Sequence, residues 1–399
     1  MNNINTDSEK IKELLERGVE EICQKSNLLK KLKSGKQLRI KHGIDPTGPK
    51  IHLGRASQLW KLKTFQEMGH KVVLIIGDFT ARIGDASDKQ ALRPVLSVEQ
   101  IKANMKDYAK QIGKILDMDK VELHYNSEWL GKLSVAELMG LAMKFTAQQM
   151  IQRRNFKERW DQNKPIGLHE LFYPLFQGYD SVIIKADVEL GGFDQLFNLK
   201  VGREMQKIFN QEPQDIMALE MLSGLDGRKM STSWGNVINI IDEAKEMYGK
   251  TMSMKDESMI NYFKIVTQLP LKEIKKIEQG LLNKKLRPRD VKARLAAELV
   301  KLYYGEEEAS KAAMEFENIF KEKKAPEQMP IFKPSRAELN IVDLLVEAKL
   351  ASSKSDGRRL VSQKGVKINN KIQEDWKAKI ILEKGTVVQV GKRKFIKID

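Results

Sequence analysis

Short apolar runs alternate with longer amphipathic segments between residues 37 and 240. The runs predict five strands, at Leu38–Ile44, Lys71–Gly77, Lys120–Tyr125, Ser181–Val188 and Gln214–Met221. Between the first two strands, Arg55–Met68 carries apolar residues at helical spacing, and Gly69 follows as a stop. Strand, helix and strand in repetition predict an α/β fold built on a doubly wound parallel sheet.

The rest of the chain has a different pattern. No strand pattern survives from residue 256 to 322, and Arg289–Tyr303 has the apolar stripe of a packed helix. Residues 321–334 hold three prolines among charges, which is typical of a linker. Beyond them the pattern predicts two helices, Ile341–Lys349 and Asp356–Lys364, and three strands, Val366–Ile368, Thr386–Val390 and Lys394–Ile398. We therefore predict a catalytic domain over 1–245, a helical domain over 246–322, a linker over 323–334 and a small α+β domain over 335–399.

Composition and charge narrow the class of protein. The longest aliphatic run, Val72–Ile76, is far shorter than a membrane span, and one cysteine, Cys23, cannot close a disulfide within the chain. These features favour a cytoplasmic protein that has no membrane association. The net charge is +16, and residues 335–399 carry 15 Lys and Arg against 8 Asp and Glu. A basic C-terminal module is typical of a nucleic-acid partner, although a merely soluble basic protein is the alternative.

Polar segments follow several of the predicted strands. Ligands of doubly wound sheets bind beyond the carboxyl ends of the strands, so we expect chemistry just after Ile44, Gly77, Ile184 and Met221. After the first strand, Pro46 and Pro49 exclude helix and leave Thr47, His52 and Gly54 near a helix N-terminus, which attracts phosphate.

A second loop, GLDGRKMSTS at residues 224–233, follows the last predicted strand. Its glycines permit tight turns, Arg228 and Lys229 supply charge, and three hydroxyl side chains supply donors. Such a loop could wrap a triphosphate. Taken alone, it could equally be a solvated surface turn.

Together, the His-x-Gly and Lys-Met-Ser-x-Ser segments resemble the paired ATP signatures of class I aminoacyl-tRNA synthetases. Four further segments, in order and at similar spacing, resemble the tyrosyl-tRNA synthetase family: Asp45-Pro46-Thr47, Gly84-Asp85, YPLFQGYD at 173–180 and GGFDQ at 191–195. The resemblance covers nearly the whole chain. It implies a Rossmann-like sheet, a helical tRNA-binding domain and a C-terminal S4-type RNA-binding domain, the last matched by residues 344–372.

The resemblance also implies an activity and its partners. The enzyme would activate L-tyrosine with ATP to tyrosyl-adenylate and transfer it to the 3′-terminal adenosine of tRNA(Tyr). Mg²⁺ would accompany ATP without a dedicated protein metal site. A homodimer is expected, with its surface formed by helices between Ser134 and Trp160.

The resemblance also implies roles for individual residues, each assigned to the matching position of this sequence. For the ATP phosphates these are Thr47, His52, Arg55, Lys89, Arg93, Lys229, Ser231, Thr232 and Ser233. For ribose and adenine they are Asp45, Gly54, Gly192 and Asp194. For tyrosine they are Lys41, Asp85, Tyr173, Gln177, Asp180 and Gln195, with Asp180 accepting the phenol hydrogen. For tRNA phosphates they are Lys354, Arg358, Arg359, Lys364 and Lys367.

Four positions depart from the usual family pattern. Arg55 replaces histidine in the first signature, and Thr232 replaces lysine in the second, which suggests that Arg55 partly compensates for the missing lysine. Asp88 stands where glycine is usual. Lys41 stands where many members have tyrosine; strand alternation puts it on the face of Gly43 and Asp45, so it points to the pocket if Asp45 does.

Three other functions compete with the tyrosine ligase. The tryptophan enzyme shares the ATP signatures, but Gln177 and Asp180 favour a phenol as substrate. An RNA-binding paralogue without amino-acid activation is compatible with Arg55 and Thr232. A nucleotidyltransferase of the same superfamily would not need the basic C-terminal module.

Overall fold

The computed structural model describes residues 4–85, 96–321, 329–391 and 394–399, with the side chains of Ser233 and of residues 319–321 left out. The chain divides into two compact units, residues 1–309 and 310–399. No helix in these described ranges is both long enough and apolar enough to span a bilayer.

The first unit is built on a six-stranded sheet. Its strands are β1 (Val19–Cys23), β2 (Arg39–Ile44), β3 (Lys71–Ile76), β4 (Glu122–Tyr125), β5 (Val188–Gly192) and β6 (Asp215–Leu219). Their order is β1-β6-β5-β2-β3-β4, in which β1 is antiparallel to β6 and every other pairing is parallel. Strands β3, β5 and β6 are buried almost throughout because helices cover both faces, which explains their continuous apolar runs. The predicted α/β class is confirmed.

Fifteen helices accompany this sheet in the described part of the first unit. They are α1 (Ser8–Glu16), α2 (Lys25–Lys33), α3 (Leu53–Glu67), α4 (Val98–Met105), α5 (Tyr108–Ile112), α6 (Ser127–Leu130), α7 (Val135–Ala142), α8 (Ala147–Ile151), α9 (Arg154–Asp161), α10 (Leu168–Ile184), α11 (Leu196–Ile208), α12 (Ala244–Met252), α13 (Met259–Val266), α14 (Leu271–Leu282) and α15 (Pro288–Tyr304). A further helix, α16 (Glu306–Lys321), runs across the division between the units.

The predicted strand at Ser181–Val188 is wrong. Helix α10 continues to Ile184 and ends where Lys185 adopts a left-handed conformation with φ of 51°. The apolar run there belongs to a buried helix face, and a short apolar run cannot be assigned to helix or strand by periodicity alone. The strand starts at Val188, so its carboxyl end is Gly192 and not Ile184.

Helices α10 and α11 pack at an unusually short distance. A Cβ atom on Gly178 would lie 3.3 Å from the Cα of Gly202, and a Cβ atom on Gly202 would lie 2.8 Å from Gln214 Nε2, so glycine at each position permits close packing. This contact brings Gln177 of α10 within hydrogen-bond distance of Asn198 of α11.

The second unit combines two helices with short strands. These are β7 (Ile331–Phe332), β8 (Glu338–Asn340), α17 (Ile341–Glu347), α18 (Lys354–Ser362), β9 (Val366–Ile368), β10 (Lys371–Ile372), β11 (Lys379–Ile381), β12 (Val387–Val390) and β13 (Lys394–Ile398). Five strands form a sheet in the order β10-β9-β12-β13-β7, and β11 pairs with β8. Strand β7 lies within the segment predicted as a linker, whose residues 323–328 are outside the described ranges.

Candidate active site

A cavity of about 410 Å³ opens beyond the carboxyl ends of strands β2, β3, β5 and β6. This is the position where parallel sheets place their ligands. The lining comes from the loop after β2, the loop after β6, one face of α10 and the turn after β5. Segments far apart in the chain therefore meet at one site.

The first predicted ATP loop is hydrogen-bonded to the chain just after the second loop, and it also contacts the second loop itself. The backbone N–H of Leu53 donates to the carbonyl of Ile238 at 2.9 Å, and the N–H of Ile240 donates to Ile51 at 2.9 Å. The N–H of Gly54 also lies 3.3 Å from the Met230 sulfur. The N-terminus of α3 and the Lys-Met-Ser loop are thus fixed against one another.

One half of the cavity is rich in cations and hydroxyls. The Arg55 guanidinium donates to the Thr47 hydroxyl and to the Tyr108 hydroxyl, each at 2.7 Å. Lys229 donates to Asp194 at 2.9 Å, and burial lowers the pKa of its ammonium to about 8. Burial also lowers the pKa of His52 to about 3, so this imidazole is neutral at physiological pH. Such a half suits a polyanion.

The other half carries buried carboxylates. As predicted, Tyr173, Gln177 and Asp180 share one face of helix α10, and all three line the cavity. Asp180 accepts a hydrogen bond from the Trp129 indole at 2.8 Å and a longer one, at 3.4 Å, from Asn126. Burial raises the pKa of Asp180 to about 7.

Asp45 is a half-buried carboxylate in the same half of the cavity. It accepts hydrogen bonds from the hydroxyls of Thr80 at 2.8 Å and Tyr173 at 2.9 Å. Burial raises its pKa to about 6. Gly77 makes room for this arrangement, since a Cβ there would lie 2.0 Å from the Asp45 carboxylate.

Lys41 does not line the cavity, contrary to the strand-alternation argument. Its ammonium is fully buried and pairs with Glu189 at 2.8 Å, and it also donates to the Gln177 carbonyl and the Ser181 hydroxyl, each at 2.7 Å. Strand β2 ends at Ile44, so alternation does not extend to Asp45. The face of Lys41 is covered by helix α10 instead.

Most of the predicted site residues line this cavity. For the ATP phosphates they are Thr47, His52, Arg55, Lys229, Ser231 and Thr232; for ribose and adenine Asp45, Gly54, Gly192 and Asp194; for tyrosine Asp85, Tyr173, Gln177, Asp180 and Gln195. Lys89 and Arg93, with Asp88, lie outside the described residues, and the Ser233 side chain is not described.

Several residues in or beside the cavity were missed by the sequence analysis. Asn126 and Trp129 follow strand β4, and the rule that ligands lie beyond strand ends would have included them had it been applied to that strand. His42 lines the cavity from β2 and has its Nδ1 3.0 Å from the Leu190 carbonyl. Nothing in the sequence distinguishes that histidine.

The predicted tRNA contacts lie on the surface of the second unit. Lys354 pairs with Asp343 at 2.7 Å, Arg359 with Asp356 at 2.6 Å and Lys364 with Glu374 at 3.0 Å, all on exposed side chains. The guanidinium of Arg358 lies 4.8 Å from the centre of the Trp376 ring. Lys367 is on strand β9, where it faces Ile372 and Gln389 in the ladder.

Comparison with known proteins agrees with this geometry. A family model for class I tRNA synthetases (W and Y) matches residues 33–321, and a model for the SYY-like C-terminal domain of tyrosine–tRNA ligases matches residues 321–398. Tyrosine–tRNA ligase of Thermotoga maritima is 46% identical over 395 residues, covering 99% of this chain and 98% of its own. That of Moorella thermoacetica is 46% identical over 390 residues, covering 96% and 94%.

Solved structures show the same fold. Tyrosyl-tRNA synthetase of Archaeoglobus fulgidus, complexed with L-tyrosine, superposes with a TM-score of 0.63 at 24% identity and covers 77% of this chain and 99% of its own. The truncated mitochondrial enzyme of Aspergillus nidulans gives a TM-score of 0.64 at 23% identity, covering 78% and 94%.

Fold and site together define a class I aminoacyl-tRNA synthetase of the group that includes the tryptophan and tyrosine enzymes. Within that group, the chain belongs to the tyrosine–tRNA ligase family. The predicted family and enzyme class are confirmed, and the relatives support the ligase rather than the RNA-binding paralogue.

Proposed function

We propose that the cavity binds ATP and L-tyrosine side by side, joins them as tyrosyl-adenylate, and then passes tyrosine to the 3′-terminal adenosine of tRNA(Tyr). The observation that carries this proposal is the junction of two chemically different halves. His52, Arg55 and Lys229 lie in the half that suits a triphosphate, while Asp180 lies buried in the half that suits a phenol.

The first step needs no general base. A tyrosine carboxylate is already ionised at neutral pH and attacks the α-phosphorus directly, while the bond to pyrophosphate breaks. The protein has to align the reactants and stabilise the charge that develops on the leaving pyrophosphate. We assign that second task to Lys229 and to the neutral His52, which can donate a hydrogen bond without carrying charge. Lys89 and Arg93 remain predictions for the same task.

Mg²⁺ enters this scheme with ATP. Mg²⁺ in nucleotide sites usually takes phosphate oxygens and water as most of its ligands, and it would neutralise phosphate charge here. Thr47 and Ser231 are hydroxyl side chains that line the phosphate half.

The activity is tested by tyrosine-dependent exchange of pyrophosphate into ATP, with tryptophan and phenylalanine as controls, followed by aminoacylation of tRNA. We expect exchange with tyrosine alone and subsequent charging of tRNA(Tyr). Exchange with tryptophan instead would assign the related enzyme, and absent exchange with intact tRNA binding would assign the RNA-binding paralogue.

Arg55 and Thr232 form a pair whose compensation can be measured. Both line the phosphate half, and Arg55 holds the Thr47 hydroxyl at 2.7 Å. If Arg55 supplies charge that a lysine at position 232 otherwise supplies, Arg55→His lowers kcat for exchange about tenfold, and Thr232→Lys in the same chain restores part of it. Strictly additive effects of the two substitutions would remove this idea.

We propose that the second unit binds tRNA through its phosphates. The exposed cations Lys354, Arg358, Arg359 and Lys364, together with the half-buried Lys367, provide charge without reading bases. Raising salt from about 50 to about 200 mM should therefore weaken tRNA binding by at least tenfold, yet change tyrosine-dependent exchange less than twofold. Filter binding and exchange at matched salt measure the two effects. Equal salt dependence of both would contradict the assignment.

We also propose a homodimer formed through helices α7 to α9. Val135, Met139 and Met143 are apolar side chains that are 79%, 52% and 81% exposed, and Trp160 is 61% exposed. Positions 135, 139 and 143 are four residues apart and share one side of α7, and an exposed apolar face of this kind is typical of a protein interface. Met139→Glu should shift the protein to monomer in sedimentation at micromolar concentration, whereas Met314→Glu on the exposed face of α16 should leave its mass unchanged.

The cytoplasmic location expected from the lone cysteine remains a proposal.

A further inference from the structure

A chain of five polar side chains runs along the tyrosine half of the cavity, and three of the five, Asp85, Gln177 and Gln195, line it. Gln177 donates through Nε2 to Glu189 at 3.1 Å, and Gln195 donates through Nε2 to Asp85 at 2.5 Å. Between the two glutamines, Asn198 donates through Nδ2 to both side-chain carbonyls, each at 2.9 Å. We refer to Glu189, Gln177, Asn198, Gln195 and Asp85 as the amide chain.

Ion pairs hold both ends of the amide chain. The buried ammonium of Lys41 lies 2.8 Å from Glu189 Oε1, and the buried guanidinium of Arg153 lies 2.5 Å from Asp85 Oδ1. An ionised carboxylate only accepts hydrogen bonds, so each glutamine must turn its NH₂ group outward to the carboxylate beside it. Each glutamine carbonyl must consequently point inward, toward Asn198.

Asn198 fixes these inward carbonyls from the centre. Its side chain is fully buried on helix α11, and both protons of Nδ2 are engaged by the two glutamine oxygens. Its own Oδ1 has no hydrogen-bond partner among the described residues. A buried acceptor without a partner costs free energy, and rotating the amide by 180° would set this oxygen against two carbonyls. Asn198 therefore donates to both glutamines although its own Oδ1 has no hydrogen-bond partner among the described residues.

We propose that Asn198 is a positioning residue for the amino group of tyrosine. Asn198 holds the side-chain carbonyl oxygens of Gln177 and Gln195 in the orientation in which they accept hydrogen bonds from the α-ammonium beside Asp85. The proposal rests on the tyrosine-binding role given above to Gln177, Gln195 and Asp85. A carbonyl oxygen has two lone pairs, so one hydrogen bond from Asn198 does not by itself exhaust the acceptor capacity of a glutamine oxygen. Both glutamines line the cavity, whereas Asn198 lies behind them.

The test compares two ligands, one with and one without the amino group. Dissociation constants are measured for L-tyrosine and for 3-(4-hydroxyphenyl)propanoate, which lacks the amino group, with the full-length protein. Asn198→Ala removes the donor, and Asn198→Leu removes it while filling the same space. Gln66→Ala is the matched control. The buried side-chain amide of Gln66 exchanges hydrogen bonds with the backbone N–H and carbonyl of Asp117, and Gln66 is not among the described residues that line the cavity.

We expect both Asn198 variants to bind tyrosine about tenfold or more weakly and the desamino compound within about threefold of wild type. The preference of the protein for the amino group thus falls by about the same factor, while Gln66→Ala leaves that preference unchanged. Equal weakening of both ligands would show a merely structural asparagine and overturn the proposal. Wild-type protein that does not bind tyrosine would instead overturn the proposed function on which it rests.

Discussion

Asp180→Asn should lower kcat/KM for tyrosine in pyrophosphate exchange by about 100-fold and leave that for phenylalanine within about threefold. The Trp129 indole donates to Asp180 Oδ1. In the variant, the asparagine oxygen takes the place of this Oδ1, because only an oxygen can accept from the indole. The NH₂ group of the asparagine then faces the phenol. The phenol hydrogen then loses its acceptor, while phenylalanine has no hydrogen to lose. Steady-state exchange with each amino acid gives both ratios.

Asp187→Asn is the matched control for this prediction. Asp187 accepts from the Arg39 backbone N–H at 2.8 Å and is not among the cavity-lining residues. Its substitution should leave the ratio of tyrosine to phenylalanine unchanged. A ratio that survives Asp180→Asn would show that discrimination arises elsewhere in the cavity.

The same carboxylate predicts how tyrosine binding depends on pH. Burial raises the pKa of Asp180 to about 7, and only the ionised form presents a full acceptor. Its ionised fraction falls from about nine-tenths at pH 8 to about one-tenth at pH 6, so tyrosine should bind about tenfold more weakly at pH 6. Asp180→Asn should remove this dependence and leave only the contribution of Asp45, whose pKa is raised to about 6.

Lys229→Ala should lower kcat for exchange by about 100- to 1000-fold and leave the KM for tyrosine within about threefold. The Lys229 ammonium lines the phosphate half and pairs with Asp194 at 2.9 Å. Charge accumulates on pyrophosphate only as the bond to the α-phosphorus breaks, so the lysine acts on the transition state rather than on tyrosine.

Arg228→Ala tests whether any cation in that loop would serve. The Arg228 guanidinium is 62% exposed, pairs with Asp226 and lies 4.7 Å from the centre of the Trp234 ring. We expect its removal to change kcat less than threefold. A comparable loss in both variants would indicate that the loop contributes general charge and that Lys229 has no particular position.

Much of the fold was predictable because strands such as β3 and β6 are short, buried and largely apolar. Strands β2, β3, β4 and β6 were found from their short runs, whereas the edge strand β1, which is half-exposed and contains two glutamates, was missed. Residues 181–184 were misassigned because their apolar run continues a helix. Periodicity cannot separate those two cases over four residues.

The candidate site, like the fold, was predictable only in part. The resemblance named side chains that contact ligands in the family, and Asp85, Gln177 and Asp180 do meet in one cavity. It did not name Asn198 or Arg153, because the role of each depends on contacts between residues far apart in the sequence. The position of Lys41 was misjudged for the same reason, since its partner Glu189 is 148 positions away.

Gly178 allows the backbones of helices α10 and α11 to approach closely, since a Cβ there would lie 3.3 Å from the Cα of Gly202. The width of the amino-acid compartment beside Gln177 therefore depends on main-chain packing as well as on the lining side chains. Enlarging this compartment for bulkier amino acids would require separating α10 from α11, and that separation would pull Gln177 away from Asn198.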